Sequence, residues 1–502
     1  MAKSEAVEES RVEHYIADAD RDANSQFILQ RHGTLSLDPL PSSSPQDPLN
    51  WPTWKKNTQL LLVAFHAMIA IFQAAGVNPG FETFSNRYGV TIQQASYLLS
   101  SQVLFLGVAP IVWNPIAKRY GRRLVFLISV LGSGVCNIGG AVCTSYGSQM
   151  ATRILTSIFI SPPLGSGVGV VTDLFFAHER AQKVGWWTLL TTLGAAGGPF
   201  VMGFVVQHLG VNWIFWISSC INFVQFLAYL LLYTETFYDR SRTSGIPKPG
   251  LFNFPRLDKT PLVWSDFIAP FYLCRHVRVV LPACVYALQY CYSNLSIITE
   301  IPGVLGNLFN LDAQEVGLQY LAVIIGTILG EQLSGPLSDA FLNQYVRKKG
   351  YGSPARRLWV AYCGFLAVIA GLLVWGFQIQ HAHKDDWNIT PLVGAAIANF
   401  GNQVITTTLI TFAVDHYRES STEIGVLVTF ARQTWGFIGP FYYTPLFDAL
   451  GAALANGIFC IIIFVCGFVP VAALHFHDRH RRSRAEVDHG SGGPEQCNQA
   501  PP

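Results

Sequence analysis

The sequence predicts an all-α membrane protein whose twelve transmembrane helices form two pseudo-symmetric six-helix bundles. Three observations predict it: a composition too apolar for a soluble chain, twelve apolar segments of spanning length, and a repeat relating the two halves. Half of the 502 residues are apolar, 34 are Phe and only 13% carry a formal charge, whereas about a quarter of the residues in soluble domains are charged. A net charge of +2 gives nucleic acid no electrostatic footing as a partner. The ten cysteines include no C-x-x-C pair and lie mostly alone in apolar segments, so they are expected to pack as small hydrophobes. No cofactor, metal or disulfide framework is expected.

In chain order, residues 1–54 form a polar, acidic tail ("EAVEESRVEHYIADADRDA") with no apolar core behind a basic start. No cleaved signal is expected there, and the first hydrophobic helix serves as the insertion signal. A spanning helix needs about 20 mostly apolar residues. Segments at 57–77, 95–116, 124–144, 149–172, 184–207 and 213–233 meet this, and so do 279–299, 316–337, 358–378, 391–414, 424–447 and 453–475. The first six make a bundle over 55–235 and the last six a bundle over 279–476. Residues 236–278, rich in Pro, Lys and Ser, read as a cytosolic linker, and 477–502 as a second tail. The tail's "RHRRSR" run reads as an anchor on anionic lipid or as a trafficking signal.

Loops after even-numbered spans, with the long central one, hold 19 Lys and Arg, while loops after odd-numbered spans hold only Arg87 and Lys384. That asymmetry predicts both termini in the cytosol. The sequon Asn388-Ile389-Thr390 falls on the predicted outer side, where glycosylation is possible, although Pro391 follows at once.

The halves echo each other. Asp173, Gly185 and "GGPF" with Pro199 recur as Asp415, Gly425 and "IGPF" with Pro440, and "NPIAKRYGRR" after span two is echoed by "GPLSDAFLNQYVRKKG" after span eight. Paired bundles with a path between them are the architecture of many secondary transporters. With these residues in place, the chain over about 48–476 resembles the major facilitator superfamily, and more narrowly its fungal drug:proton antiporters with twelve spans. "DPLNWPTWKK" is similar to their entry segment, and Arg119, Gly121, Arg122 and Arg123 match the latter half of their loop signature G-x-L-x-D-R-x-G-R-R. Gly194, Gly198, Pro199 and Gly203 match the span-five signature G-x-x-x-G-P-x-x-G-G. The chain departs at Asn114 and Lys118, which replace the loop's leading Gly and its acid, and at Met202, which replaces a Gly. Gly335, Leu337 and Asp339 keep the loop pattern in the second half, acid included. The resemblance therefore implies a latch built on Asp339 and leaves one in the first half in doubt. The tail signature of sugar porters is absent: "TETFYDR" stands after span six.

The cations of the "NPIAKRYGRR" loop hold it inside the cell, and Arg119, Arg122 and Arg123 can also grip carboxylates that rearrange as the bundles rock. Asp173 with Glu179 and Arg180, and Asp415 with Arg418, Glu419 and Glu423, read as inner-gate clusters. A charge at mid-span costs roughly 2.5–3.5 kcal/mol on the insertion scale, so the few present are candidates for function. Glu331 in span eight is the first candidate for proton coupling; the alternative is a Glu held ionised by a gate Arg. His66 in span one is the second, with plain packing as its alternative. Arg153 in span four either meets an anionic group or braces the span. Tyr286, Gln289, Tyr290 and Ser293 share one face of span seven, and Asn399, Asn402, Gln403 and Thr406 one face of span ten. His66 and Gln73 share a face of span one, and Arg432 lies inside span eleven. The resemblance points these faces at a central cavity lined by spans one, four, seven and ten. Hydrogen bonding between helices is the other reading.

A cavity of Tyr and amides suits a small amphipathic organic substrate moved with protons. The leading expectation is a monomeric exporter of a drug, toxin or fungal secondary metabolite in the plasma membrane or the vacuolar membrane. The alternatives are a proton-coupled importer of a cationic or amphipathic nutrient and a nutrient sensor without flux. No clustered catalytic set argues for an enzyme.

Overall fold

The computed structural model describes residues 26–31, 33, 37–238, 256, 260–349, 354–384 and 386–477. Most of the 236–278 linker and the basic run from Arg479 lie outside them. Every regular element among the described residues is a helix. The spans are α1 (Thr53–Ala75), α2 (Ile92–Tyr120), α3 (Arg122–Val142), α4 (Tyr146–Leu174), α5 (Arg180–Leu209) and α6 (Trp213–Leu232). The second half adds α7 (Val277–Phe309), α8 (Ala313–Tyr345), α9 (Leu358–Gln380), α10 (Thr390–His416), α11 (Ser421–Ile438) and α12 (Tyr443–His477). A short helix preceding α7 meets it at a bend of 93°. Large apolar side chains on the outside, such as Leu231, Leu366 and Ile461, are more than 60% exposed. On a soluble protein such a surface would aggregate; here it is the face that meets lipid.

Local chemistry sets the ends. Thr91 and Gln94 form a reciprocal capping box that starts α2, and Asp312 and Glu315 form another at α8. Between α2 and α3 the chain turns on Gly121 alone, at φ 88° and ψ 152°, a conformation that disfavours any side chain. Ser161 followed by Pro162 and Pro163 breaks α4 in two. Helix α7 contains two π segments, Tyr290–Leu295 and Ile301–Leu305, and it continues ten residues past its expected end. In α12, Tyr443 and Phe447 both pack on Phe459. A straight helix would set Tyr443 and Phe459 about 24 Å apart, so the chain folds back at Gly451, which has φ 77°. Beyond that turn it runs antiparallel to α9, as the approaches of Gly451 to Gln380 and of Gly376 to Asn456 require.

The bundles meet along two seams that exchange when the halves are swapped. In one, α5 packs on α8, with Gly203 against Gly317. In the other, α2 packs on α11, with Gly107 against Gln433. The α2–α3, α4–α5, α8–α9 and α10–α11 connections share one end of the molecule, called the basic face below.

Candidate functional site

At the basic face, charged groups tie the bundles together. Asp415 on α10 accepts from Arg180 of α5 at 2.7 Å and from Arg357 at 2.8 Å. The second nitrogen set of Arg357 holds Asp339 of α8 at 2.6 Å. Asp339 also accepts the backbone N–H of Gln182 at 2.9 Å, in the first turn of α5, where the helix dipole favours an anion. Both arginine side chains are fully buried, and those of Asp415 and Asp339 are 6% and 10% exposed. Lys118 pairs with Glu423 in the first turn of α11. Arg122 holds Asp173 at 2.7 Å and reaches Thr422, and Thr172 and Ser421 share a hydrogen bond of 2.7 Å.

These partners correct the expected clusters. Asp173 is held by Arg122 of its own bundle, Arg180 crosses to Asp415, and Arg418 pairs with Asp38. Glu179 stands at the N-cap of α5, where its side chain caps nothing. Arg119 binds Asp266 and the carbonyls of Thr260 and Pro261, and Arg123 donates to the carbonyl of Leu230. Neither crosses the seam in these bonds. In the first half the position of the missing acid is taken by Lys118, which supplies the cation of an ion pair whose acid is Glu423. Gly335 allows the approach that Asp339 needs, since a Cβ there would lie 3.2 Å from Cα of Gln182.

One layer deeper, Glu331 is 4% exposed. One carboxylate oxygen accepts from Gln403 at 2.9 Å and from Thr407 at 2.7 Å. Gln403 also donates to Thr188 of α5 at 3.1 Å, which ties the carboxyl to both bundles. The other oxygen lies where a Cβ on Gly185 would be. Among the described residues no cation pairs with Glu331, and the arginines Arg180 and Arg357 hold Asp415 and Asp339 instead. A pocket of about 340 Å³ between α5 and α8 reaches Glu331 past Trp186, Leu190 and Gln332.

The stripes on α7 and α10 face each other. Gln289 donates to Asn402 and to Ser293, both at 2.9 Å, and Asn294 donates to Asn399. Tyr286 accepts from Arg432 at 3.1 Å, and Tyr290 lies 4.9 Å beneath its guanidinium. Gln289 Oε1, Asn402 Nδ2, Gln403 Oε1 and Arg432 Nε are nevertheless buried without partners. A fully satisfied packing interface leaves few such atoms.

The expected cavity residues of the first half are not part of this layer. His66 is bonded to Tyr229 at 3.0 Å and to Ser129 at 3.3 Å. Gln73 donates to Asn222 at 2.9 Å and accepts from Asn137 at 3.1 Å. Both are packed between α1, α3 and α6, inside the first bundle. Arg153 donates to the carbonyl of Gln73 at 2.6 Å and stacks on Phe215, so it braces α4 against α1. In the span-five signature, a Cβ on Gly194 or Gly198 would meet backbone oxygens of α1 at 2.5 and 2.6 Å, and one on Gly203 the carbonyl of Ala313 at 2.6 Å. Pro199 sits within α5, its carbonyl 3.2 Å from the Cβ position of Gly317. Asn388 is exposed at the start of α10, its side chain bonded to the backbone N–H of Thr390.

Arg357 and Glu300 escaped sequence reasoning. "GRRL" at 121–124 and "ARRL" at 355–358 repeat, and that signal points to Arg357. Glu300, buried in α7 and bonded to Thr444 at 3.3 Å, lies one residue past the expected end of its span.

Two polytopic helical bundles that meet along polar seams and are latched by charge at one face have the build of a membrane carrier. The family model described as the Major Facilitator Superfamily matches residues 63–440, and the chain belongs to that superfamily. The efflux pump vrtL of Penicillium aethiopicum is 25% identical over 478 residues, 92% of each chain. The probable efflux pump mfs2 of Aspergillus flavus is 26% identical over 403 residues, 76% of this chain and 93% of its own. The human organic anion transporter MFSD10 has the same fold, with a TM-score of 0.58 at 15% identity over 84% of this chain and 100% of its own. This protein is thus a multi-pass membrane transporter for small organic molecules and not an enzyme.

Proposed function

We propose that this carrier exports an amphipathic organic compound in exchange for protons, by alternating access, with Glu331 as the proton site. The carrying observation is the buried Glu331 carboxyl, which pairs with no cation among the described residues and is hydrogen-bonded to α10 and, through Gln403 and Thr188, to α5. An ionised carboxylate without a counter-charge is costly in such a place. Losing the proton therefore favours an arrangement in which the bundles part and water reaches the group, and regaining it favours the closed one. The Asp415–Arg180 and Lys118–Glu423 pairs act as the latch of the basic face, which the excess of Lys and Arg assigns to the cytosol along with both termini. The division into a bundle over 55–235, a linker over 236–278 and a bundle over 279–476 fits this motion.

Export is supported by the names of the fungal efflux pumps that the chain is similar to. It is supported too by the span-five glycines, which bring α5 against both α1 and α8. The plasma membrane is the proposed site, with Asn388 as a candidate glycan position on its outer side. Glu331→Gln tests the reading, because the amide keeps a hydrogen-bonding side chain but cannot ionise. Proton-linked flux should vanish while the protein still reaches the surface and exchanges substrate. Normal proton-linked flux in that variant would overturn the assignment.

A further inference from the structure

We infer that Arg432, framed by Tyr286 and Tyr290, is the seat of an anionic group on the transported molecule: a carboxylate, or an ionised enol or phenol, on an aromatic body. This rests on the carrier reading above and names the substrate class for its central path.

The argument starts from the buried arginines. Arg122 has Asp173, Arg180 has Asp415, Arg357 has two aspartates, and Arg119 has Asp266. Arg153 has a helix-end carbonyl at 2.6 Å. Arg432 is as buried as these, at 4% exposure, yet among the described residues it pairs with no carboxylate. Its one hydrogen bond goes to a neutral phenol oxygen, that of Tyr286, and its Nε has no partner; the Nε atoms of Arg153 and Arg180 are unpaired too, but those side chains hold carbonyl oxygens and a carboxylate. A guanidinium taken from water without a counter-anion is strongly disfavoured unless something else compensates. The faces of Tyr290 and Tyr286, 4.9 and 5.9 Å away, compensate in part, and an anion arriving with the substrate would complete the balance.

The surroundings define the rest of the molecule. Next in the chain, Gln433 packs on Gly107 across the α2–α11 seam and leaves its Nε2 without a partner. The unpaired Nε of Arg432 is a donor and suits an anion's oxygen. Between the two tyrosines in the chain, Gln289 leaves an unpaired Oε1 that accepts from a hydroxyl. Two phenol rings beside a guanidinium suit a flat aromatic body. The proton site is on a different helix: Glu331 is held by α10 side chains and shares no salt bridge with Arg432. Anion and proton therefore occupy separate groups.

The test is thermal unfolding of the purified full-length protein with matched probes: salicylate and 2-naphthoate, each beside its methyl ester. The acids should stabilise the protein in a concentration-dependent way, with each ester at least tenfold weaker. Arg432→Gln should weaken binding of the acids at least tenfold, about 1.4 kcal/mol, and Gly197→Ala, whose added Cβ meets open space, should leave it unchanged. Should Arg432→Gln not yield a monodisperse protein, Arg432→Lys takes its place. It keeps the charge but loses the planar fork, and it should bind the acids several-fold more weakly while still preferring them to the esters. Esters binding as well as acids, no stabilisation by any acid, or Arg432 variants that bind like the original would each overturn the inference. Tenfold weaker acid binding in Arg432→Gln together with loss of proton-linked flux in Glu331→Gln supports both readings. The same loss of acid binding with unchanged proton-linked flux in Glu331→Gln refutes only the proton site.

Discussion

Asp415 bridges two buried arginines from opposite bundles, and replacing it by Asn isolates the energetics of the latch. Breaking a buried ion pair from one side costs about 3–5 kcal/mol. Arg357 keeps Asp339 at 2.6 Å, so the loss falls mainly on Arg180, whose side chain is fully buried in the closed arrangement. The Asn oxygen still accepts one hydrogen bond, worth about 1 kcal/mol, which leaves a net loss of about 2–4 kcal/mol. Arg180 recovers its hydration when the basic face opens, so the penalty applies to the closed state only. At 1.4 kcal/mol per factor of ten, the closed-to-open ratio should fall roughly 30- to 700-fold. The assay is labelling by a membrane-impermeant maleimide of Ser421→Cys, a position that bonds Thr172 across the seam. Inside-out vesicles would be used, from a chain whose native cysteines are replaced by Ser. Asp415→Asn should raise the labelling rate more than tenfold, and adding Arg180→Gln should return it most of the way. A rate within twofold of the control, in protein that still reaches the membrane, would refute the latch.

Further outcomes follow from the same contacts. Lys118→Glu and Glu423→Lys should each speed the same labelling only about two- to fivefold, because the Lys118 side chain is 42% exposed and such pairs contribute about 0.2–1 kcal/mol; the double reversal should restore the control rate. Gly185→Ala drives a methyl into the Glu331 carboxylate and should abolish proton-linked flux, whereas Gly197→Ala on the same helix, with open space at its Cβ, should transport normally. Gly198→Val forces α5 away from α1, and overpacking of this kind costs about 1–3 kcal/mol. Its melting temperature should fall in detergent while that of Gly197→Val does not.

The spans were legible because crossing hydrocarbon imposes length and polarity on a contiguous stretch, and Gly121 was legible only through the loop signature it matches; the one-residue turn that needs its backbone is seen in the structure. The latch was not, because Arg180 and Asp415 are 235 residues apart and no local pattern names a partner at that distance. Periodicity set His66 and Gln73 on one face of α1 but could not say what that face meets; α3 and α6 cover it with Ser129, Asn137, Asn222 and Tyr229. Arg153 stood out by its charge, and only the chain path of α1 shows that its bond goes to carbonyl oxygen. The amides of α7 and α10 were legible as one polar stripe on each helix, and their contact with each other is seen only in the structure. Their unpaired atoms, from which the substrate reading starts, depend on side-chain placement. Glu300 was hidden because α7 runs to Phe309, past the length that hydropathy alone assigns.

The most direct test of proton-driven export is accumulation of anionic, neutral and cationic fluorescent dyes in yeast lacking their own efflux pumps. Cells with and without this protein would be compared before and after a protonophore. Lower accumulation of at least one dye, restored by the protonophore and lost in Glu331→Gln, is the predicted result. Higher accumulation that the protonophore abolishes would mean coupled uptake and would contradict the account.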